Sequence, residues 1–92
     1  MDEVKKYSVL FSPKAEKKMD KLDAPVRSRI ARWIKENLVD CENPRLHGEA
    51  LHNVLKDYWK YRIGGYRLIA KIEDDKVIIV IVNVDKRGSV YQ

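Results

Sequence analysis

Trp59-Lys60-Tyr61-Arg62-Ile63-Gly64-Gly65-Tyr66-Arg67-Leu68-Ile69 alternates aromatic or aliphatic residues with cations, pauses at a glycine pair, and resumes. In an extended chain successive side chains leave on opposite faces. Trp59, Tyr61 and Ile63 therefore share one face, and Lys60 and Arg62 the other. A two-residue Gly64-Gly65 loop suits a tight hairpin, since glycine takes positive φ at little steric cost. The loop sets a register of Ile63 opposite Tyr66, Arg62 opposite Arg67 and Tyr61 opposite Leu68. Lys60, Arg62 and Arg67 then crowd one face. Like charges placed opposite each other cost about 0.2–1 kcal/mol per pair. A chain that keeps them there is built to meet an anion, and phosphate is the obvious candidate.

Working outward, the strands of this hairpin span roughly 58–63 and 66–72. Glu73-Asp74-Asp75-Lys76 is a polar turn. Val77 to Val84 is a nearly unbroken β-branched run, predicted to be a central strand. Upstream, Tyr7 to Phe11 reads as a short strand. Ser12-Pro13 reads as an N-cap with proline in the first helical position. Ala15, Met19 and Leu22 follow at near-helical spacing. Asp23-Ala24-Pro25 closes this helix and opens a second, whose Val26, Ile30, Trp33, Ile34 and Leu38 form one stripe. Asn43-Pro44 ends the helical pattern, and residues 43–56 read as a long connection.

The predicted fold class is α+β: an N-terminal strand, a two-helix antiparallel hairpin, then a three-stranded antiparallel meander, with the helices on one sheet face. That face receives Trp59, Tyr61, Tyr66, Leu68, Ala70 and Ile72. Lys60, Arg62 and Arg67 point from the other. Residues 1–92 are expected to form a single domain.

The chain has 92 residues, with 19 Lys and Arg against 14 Asp and Glu, for a net charge of +5. This balance favours nucleic acid, ribosome or an acidic protein as partner. A lone Cys41 excludes an internal disulfide framework and a cysteine zinc site, and fits a reducing compartment. No apolar run approaches the roughly 18–20 residues of a membrane span. The charged N-terminus lacks a signal-peptide core. A cytoplasmic protein without cofactor or metal is expected.

The WKYRIGGYRLI segment, the acidic turn, the buried strand and the terminal Val84-Asp85-Lys86-Arg87-Gly88-Ser89-Val90-Tyr91 together resemble the RelE/ParE superfamily of type II toxins. The likeness covers nearly the whole chain and implies the RelE-like microbial ribonuclease fold. On the RelE branch it implies an endoribonuclease, or mRNA interferase, that cuts messenger RNA in the ribosomal A site without a metal. The substrate's 2′-hydroxyl attacks the adjacent phosphate, leaving a 2′,3′-cyclic phosphate and a 5′-hydroxyl. The ParE branch, on the same fold, inhibits DNA gyrase, and an inactive antitoxin-binding member is a third reading.

Carried over position by position, the resemblance implies Lys60, Arg62, Arg67, Arg87 and Tyr91 as the catalytic set. It implies RNA contacts at Lys86, Lys56 and His47, the last standing in the Leu46-His47-Gly48 segment. The general base remains open between Lys60 and Tyr91. Arg62 stands where the branch carries lysine, and Lys86 where many relatives carry histidine. An arginine, with a pKa above about 12, is a poor proton donor at neutral pH. The implied partners are an antitoxin protein and the ribosome with its messenger RNA, including contacts to 16S rRNA.

Overall fold

The computed structural model describes residues 4–51 and 57–86. Its elements run β1 (Ser8–Phe11), α1 (Pro13–Asp20), α2 (Ala24–Asn37), β2 (Glu49–Ala50), β3 (Tyr58–Ile63), β4 (Tyr66–Glu73) and β5 (Ile78–Lys86). The five strands form one sheet in the order β1-β5-β4-β3-β2. β1 lies parallel to β5, and the other neighbours are antiparallel. This is the expected α+β arrangement, and β5 is interior to the sheet as its β-branched composition requires.

Both helices start where local chemistry dictates. Ser12 caps α1, its hydroxyl accepting from the Ala15 amide at 3.1 Å, and Pro13 fills the first turn, where no intrahelical donor is needed. Asp23 occupies the N-cap position of α2 without a side-chain cap bond. Ala15 and Met19 of α1, Ile30 and Ile34 of α2, and Leu38 after it are buried with Tyr61, Ile63, Leu68, Ala70, Ile72, Ile79, Ile81 and Val84 in one cluster. Trp33, Val26, Leu22, Trp59 and Tyr66 pack half-buried around it. Burying an aliphatic side chain of this size is worth about 1.5–3 kcal/mol, so the helical stripe holds α2 to the sheet. No helix among the described residues is long and apolar enough to cross a membrane.

The hairpin register is the one its glycine pair dictates: Ile63 opposite Tyr66, Arg62 opposite Arg67, Tyr61 opposite Leu68. Between β4 and β5 the register shifts. Ile69 pairs with Asn83 but Ala70 pairs with Ile81, so Val82 is an extra residue. The bulge keeps Ile79, Ile81 and Val84 all on the helix-covered face. It turns Asn83 and Asp85 to the face of Ile69 and Arg67.

Two expectations are corrected. Val77 is not the first residue of the last strand. It closes the turn after Glu73 with φ 57, its amide donating to the Asp74 carbonyl, and β5 begins at Ile78. The tight reversal overrides the strand preference of a β-branched residue. The connection 43–56 is also not wholly irregular. Glu49 and Ala50 form a two-residue edge strand on β3, opposite Lys60 and Trp59.

Candidate active site

Three cations of the hairpin do share the sheet face away from the helices. Lys60 and Arg62 alternate along β3, and Arg67 lies opposite Arg62 on β4. What the sequence did not reveal is the acid among them. Glu49 on β2 lies opposite Lys60, and its Oε2 sits 3.1 Å from Lys60 Nζ and 3.1 Å from Arg62 Nη2. Its only trace in the sequence is its position directly after Leu46-His47-Gly48. Lys60 is the more enclosed of the two cations, its side chain 17% exposed against 54% for Arg62.

The strand carrying Glu49 is held against β3 by packing that only glycine permits. Gly48 has φ +77, and a Cβ there would collide with the Lys60 carbonyl and crowd Trp59 Nε1 and the Tyr61 ring. On either side of it, Trp59 Nε1 donates to the His47 carbonyl at 2.6 Å and the Tyr61 hydroxyl donates to the Pro44 carbonyl at 2.7 Å. Burial pushes the Tyr61 phenol far above its usual value, so it remains a proton donor and never a base near neutral pH. Arg45 lies over the Trp59 ring, 5.8 Å from its centroid, and grips Asp74 through two 3.0 Å hydrogen bonds. Tyr7 adds a third bond to Asp74 at 2.7 Å. The Arg45 guanidinium, then the Tyr7 hydroxyl, holds the Asp74 carboxyl below the usual range, and the same bond to Asp74 raises Tyr7. This cluster ties the 41–48 segment to the start of β1 and the β4–β5 turn.

Lys60, Arg62 and Glu49 line an open cleft of about 490 Å³ with Trp33, Leu46, His47 and Gly48. His47 meets Trp33 edge-on at 5.7 Å. Leu46, at the rim, is 75% exposed. Beside the cleft, Arg67 Nε is buried with no hydrogen-bond partner among the described residues. Asp85, directly opposite Arg67 in register, is engaged elsewhere: its carboxylate takes Lys18 Nζ at 3.1 Å and Asn83 Nδ2 at 2.7 Å. A buried donor without a partner costs about 1–3 kcal/mol.

Of the sequence-derived set, the structure brings Lys60, Arg62 and Arg67 together, with His47 at the cleft wall. Lys86 ends β5, opposite Tyr66 and next to Asp85. Arg87, Tyr91 and Lys56 lie outside the described residues. Among the described residues, no three His, Cys, Asp or Glu side chains gather where they would hold a metal ion.

A family model describing the ParE toxin of the type II toxin–antitoxin system parDE matches residues 9–91. A RelE-like toxin protein of Escherichia coli, named as putative, is 32% identical over 84 residues, covering 89% of this chain and 84% of the relative. The mRNA interferase toxin RelE of Escherichia coli K12 is 33% identical over 82 residues, covering 88% and 83%. Among solved structures, the RelBE2 toxin–antitoxin complex of Mycobacterium tuberculosis contains a chain that superposes with a TM-score of 0.80 at 27% identity. The match covers 97% of this chain and all of that one.

Proposed function

The chain belongs to the ParE toxin family of type II toxin–antitoxin systems, and on that footing we propose that it is an endoribonuclease that cuts messenger RNA on the ribosome. It is a RelE-like toxin by sequence, and its relatives of that type carry the name mRNA interferase. We read residues 1–92 as one domain acting in the cytoplasm, restrained by an antitoxin. Solved relatives in complex with RelB-type antitoxins support that partner, and the net charge of +5 suits an acidic one.

The observation that carries the reading is the cleft floor: two cations converging on one carboxylate, beside an arginine whose buried Nε has no acceptor among the described residues. In the proposed reaction the 2′-oxygen attacks the adjacent phosphorus, forming the O2′–P bond and breaking P–O5′. Lys60, Arg62 and Arg67 hold the phosphate and neutralise charge that grows on its non-bridging oxygens. Preorganised groups of this kind are worth about 3–4 kcal/mol each.

Glu49 accepts the 2′-hydroxyl proton. In the free protein its carboxylate is engaged by Lys60 and Arg62. A phosphate that draws those cations to itself loosens that engagement and leaves a carboxylate oxygen open to take the proton. Among the described residues Glu49 is the carboxylate that reaches the cations, and it joins Lys60 and Tyr91, the two bases considered from sequence, as the one we propose. Arg87 is assigned to the same phosphate or to steadying the departing 5′ oxygen, which takes its proton from solvent water to leave as the 5′-hydroxyl, and Tyr91 to base stacking.

The test is induced expression with mapping of messenger RNA ends, in wild type and in Arg67→Ala. Translation-dependent cuts inside codons, lost in the variant, are expected. Growth arrest with intact messenger RNA, accompanied by a DNA-damage response, would replace this reading with gyrase inhibition.

A further inference from the structure

Arg62 belongs to two clefts. One is the Lys60–Glu49 cleft. The other, about 290 Å³, opens on the turn side of Arg62, between the hairpin and α2, and shares Trp33 with the first. Its α2 wall carries Arg29, Arg32 and Glu36, with Trp33 between them. These residues stand three or four apart, so the helix presents them on one side. Neither Arg29 nor Arg32 has an ion-pair partner among the described residues, although Glu36 is one turn from Arg32.

The hairpin turn comes close to one of these guanidiniums. Arg29 Nη1 lies 3.1 Å from the point a Cβ on Gly64 would occupy. Gly64 has φ +56, which the turn requires, and Arg29 lies beside it. Three guanidiniums from two elements therefore border this cleft against one carboxylate. Arginine's planar fork suits phosphate oxygens.

We propose that Arg29, Arg32 and Arg62 form a second phosphate subsite, holding flanking phosphates of the same single RNA strand whose reacting phosphate lies at Lys60 and Arg62. This rests on the ribonuclease reading for the first cleft and adds the path of the strand. RNA leaves the reacting centre across Arg62, passes the half-buried Trp33, and runs along the α2 face toward Arg29 and Arg32. The strand is thereby gripped on one side of the cut by backbone charge, which carries no base preference.

The experiment is equilibrium binding of the purified full chain to 2′-O-methyl RNA, which lacks the nucleophile. Three- and nine-nucleotide strands are compared from 50 to 200 mM salt. Each phosphate neutralised on a single strand contributes about −0.7 to the slope of log K against log salt. Arg29→Gln combined with Arg32→Gln is expected to flatten the nine-nucleotide slope by about 1.4 and leave the three-nucleotide slope unchanged. Glu36→Gln is expected to tighten the nine-nucleotide strand, giving a gain that no folding defect mimics.

An unchanged nine-nucleotide slope overturns the subsite. So does an equal loss on both strands, or no binding of the longer strand by wild type at 50 mM salt. Messenger RNA cuts in cells together with an unchanged slope would sink the subsite and leave the nuclease standing. A flattened slope with intact cellular messenger RNA would keep the subsite and remove the nuclease.

Discussion

Replacing Glu49 by Gln separates binding from chemistry. The amide keeps the shape and the β2–β3 pairing but loses the charge that engages Lys60 and Arg62, each at 3.1 Å. Glu49's side chain is 49% exposed, so each ion pair is worth only about 0.2–1 kcal/mol. RNA no longer has to displace a carboxylate from two cations, a saving of about 0.4–2 kcal/mol in total. Affinity for an uncut 2′-O-methyl strand should therefore rise about 2- to 30-fold. Loss of the proton acceptor acts in the opposite direction, and general-base catalysis typically supplies 10²–10⁴-fold in rate. Single-turnover cleavage of end-labelled messenger RNA on programmed ribosomes, at saturating protein, should fall by about that factor. Tighter binding with slower cutting is the signature of a base that also fills the phosphate site. Cleavage within about threefold of wild type would refute Glu49 as the base, and unchanged affinity would refute its competition with phosphate.

Gly48→Ala places a methyl group against the Lys60 carbonyl at φ +77. It should cost about 1–3 kcal/mol and lower the thermal midpoint by roughly 4–8 °C per kcal/mol for a chain of this size. Cleavage should drop with it because Glu49 is the next residue, and an unshifted melting curve would show that the close approach is relieved at no cost. Asp74→Asn tests the tie between Arg45, Asp74 and Tyr7. The Asp74 carboxyl sits below its ordinary value, so its contribution is present above about pH 4 and fades as pH falls through the folded value. Asp74 is half exposed, which limits the wild-type advantage at pH 7 to about 1 kcal/mol. Urea melts should show that advantage shrinking below about pH 4, whereas a gap constant to pH 2 would exclude the ion pair as its source. Tyr7 is raised, so its share persists below about pH 10 and is lost above it.

The sheet's hairpin was legible because its parity and its turn say the same thing. Alternation assigns Tyr61 and Lys60 to opposite faces, and the Gly64-Gly65 loop fixes which residues oppose them. The helical stripes were legible for a similar reason, since Ile30, Ile34 and Leu38 repeat at the helical period and all three are buried. β2 left no such pattern, because two residues cannot display a period. Its place depends on Gly48 fitting against the Lys60 carbonyl, a contact between distant segments. The same tertiary fit brings Glu49 to Lys60 and Arg62, so the acid of the candidate site was as hidden as the strand that carries it. Val77 failed in the other direction, since composition spoke for strand while the turn geometry required positive φ.

The extra residue Val82 makes β5 a strand read in two frames. Up to Ile81 the odd-numbered residues are core, whereas at Val84 an even-numbered one is. The inner part of the strand thus serves packing, and the outer part is free to carry polar groups on the cation-bearing face without breaking the core. Pairing Val82 regularly instead of bulging it out would restore a single frame and send Asp85 inward and Val84 out, whereas deleting it would leave both on their present faces. The charge lattice around Arg67 and the hydrophobic order of the sheet are thereby separated at one peptide unit, and each is open to change without the other.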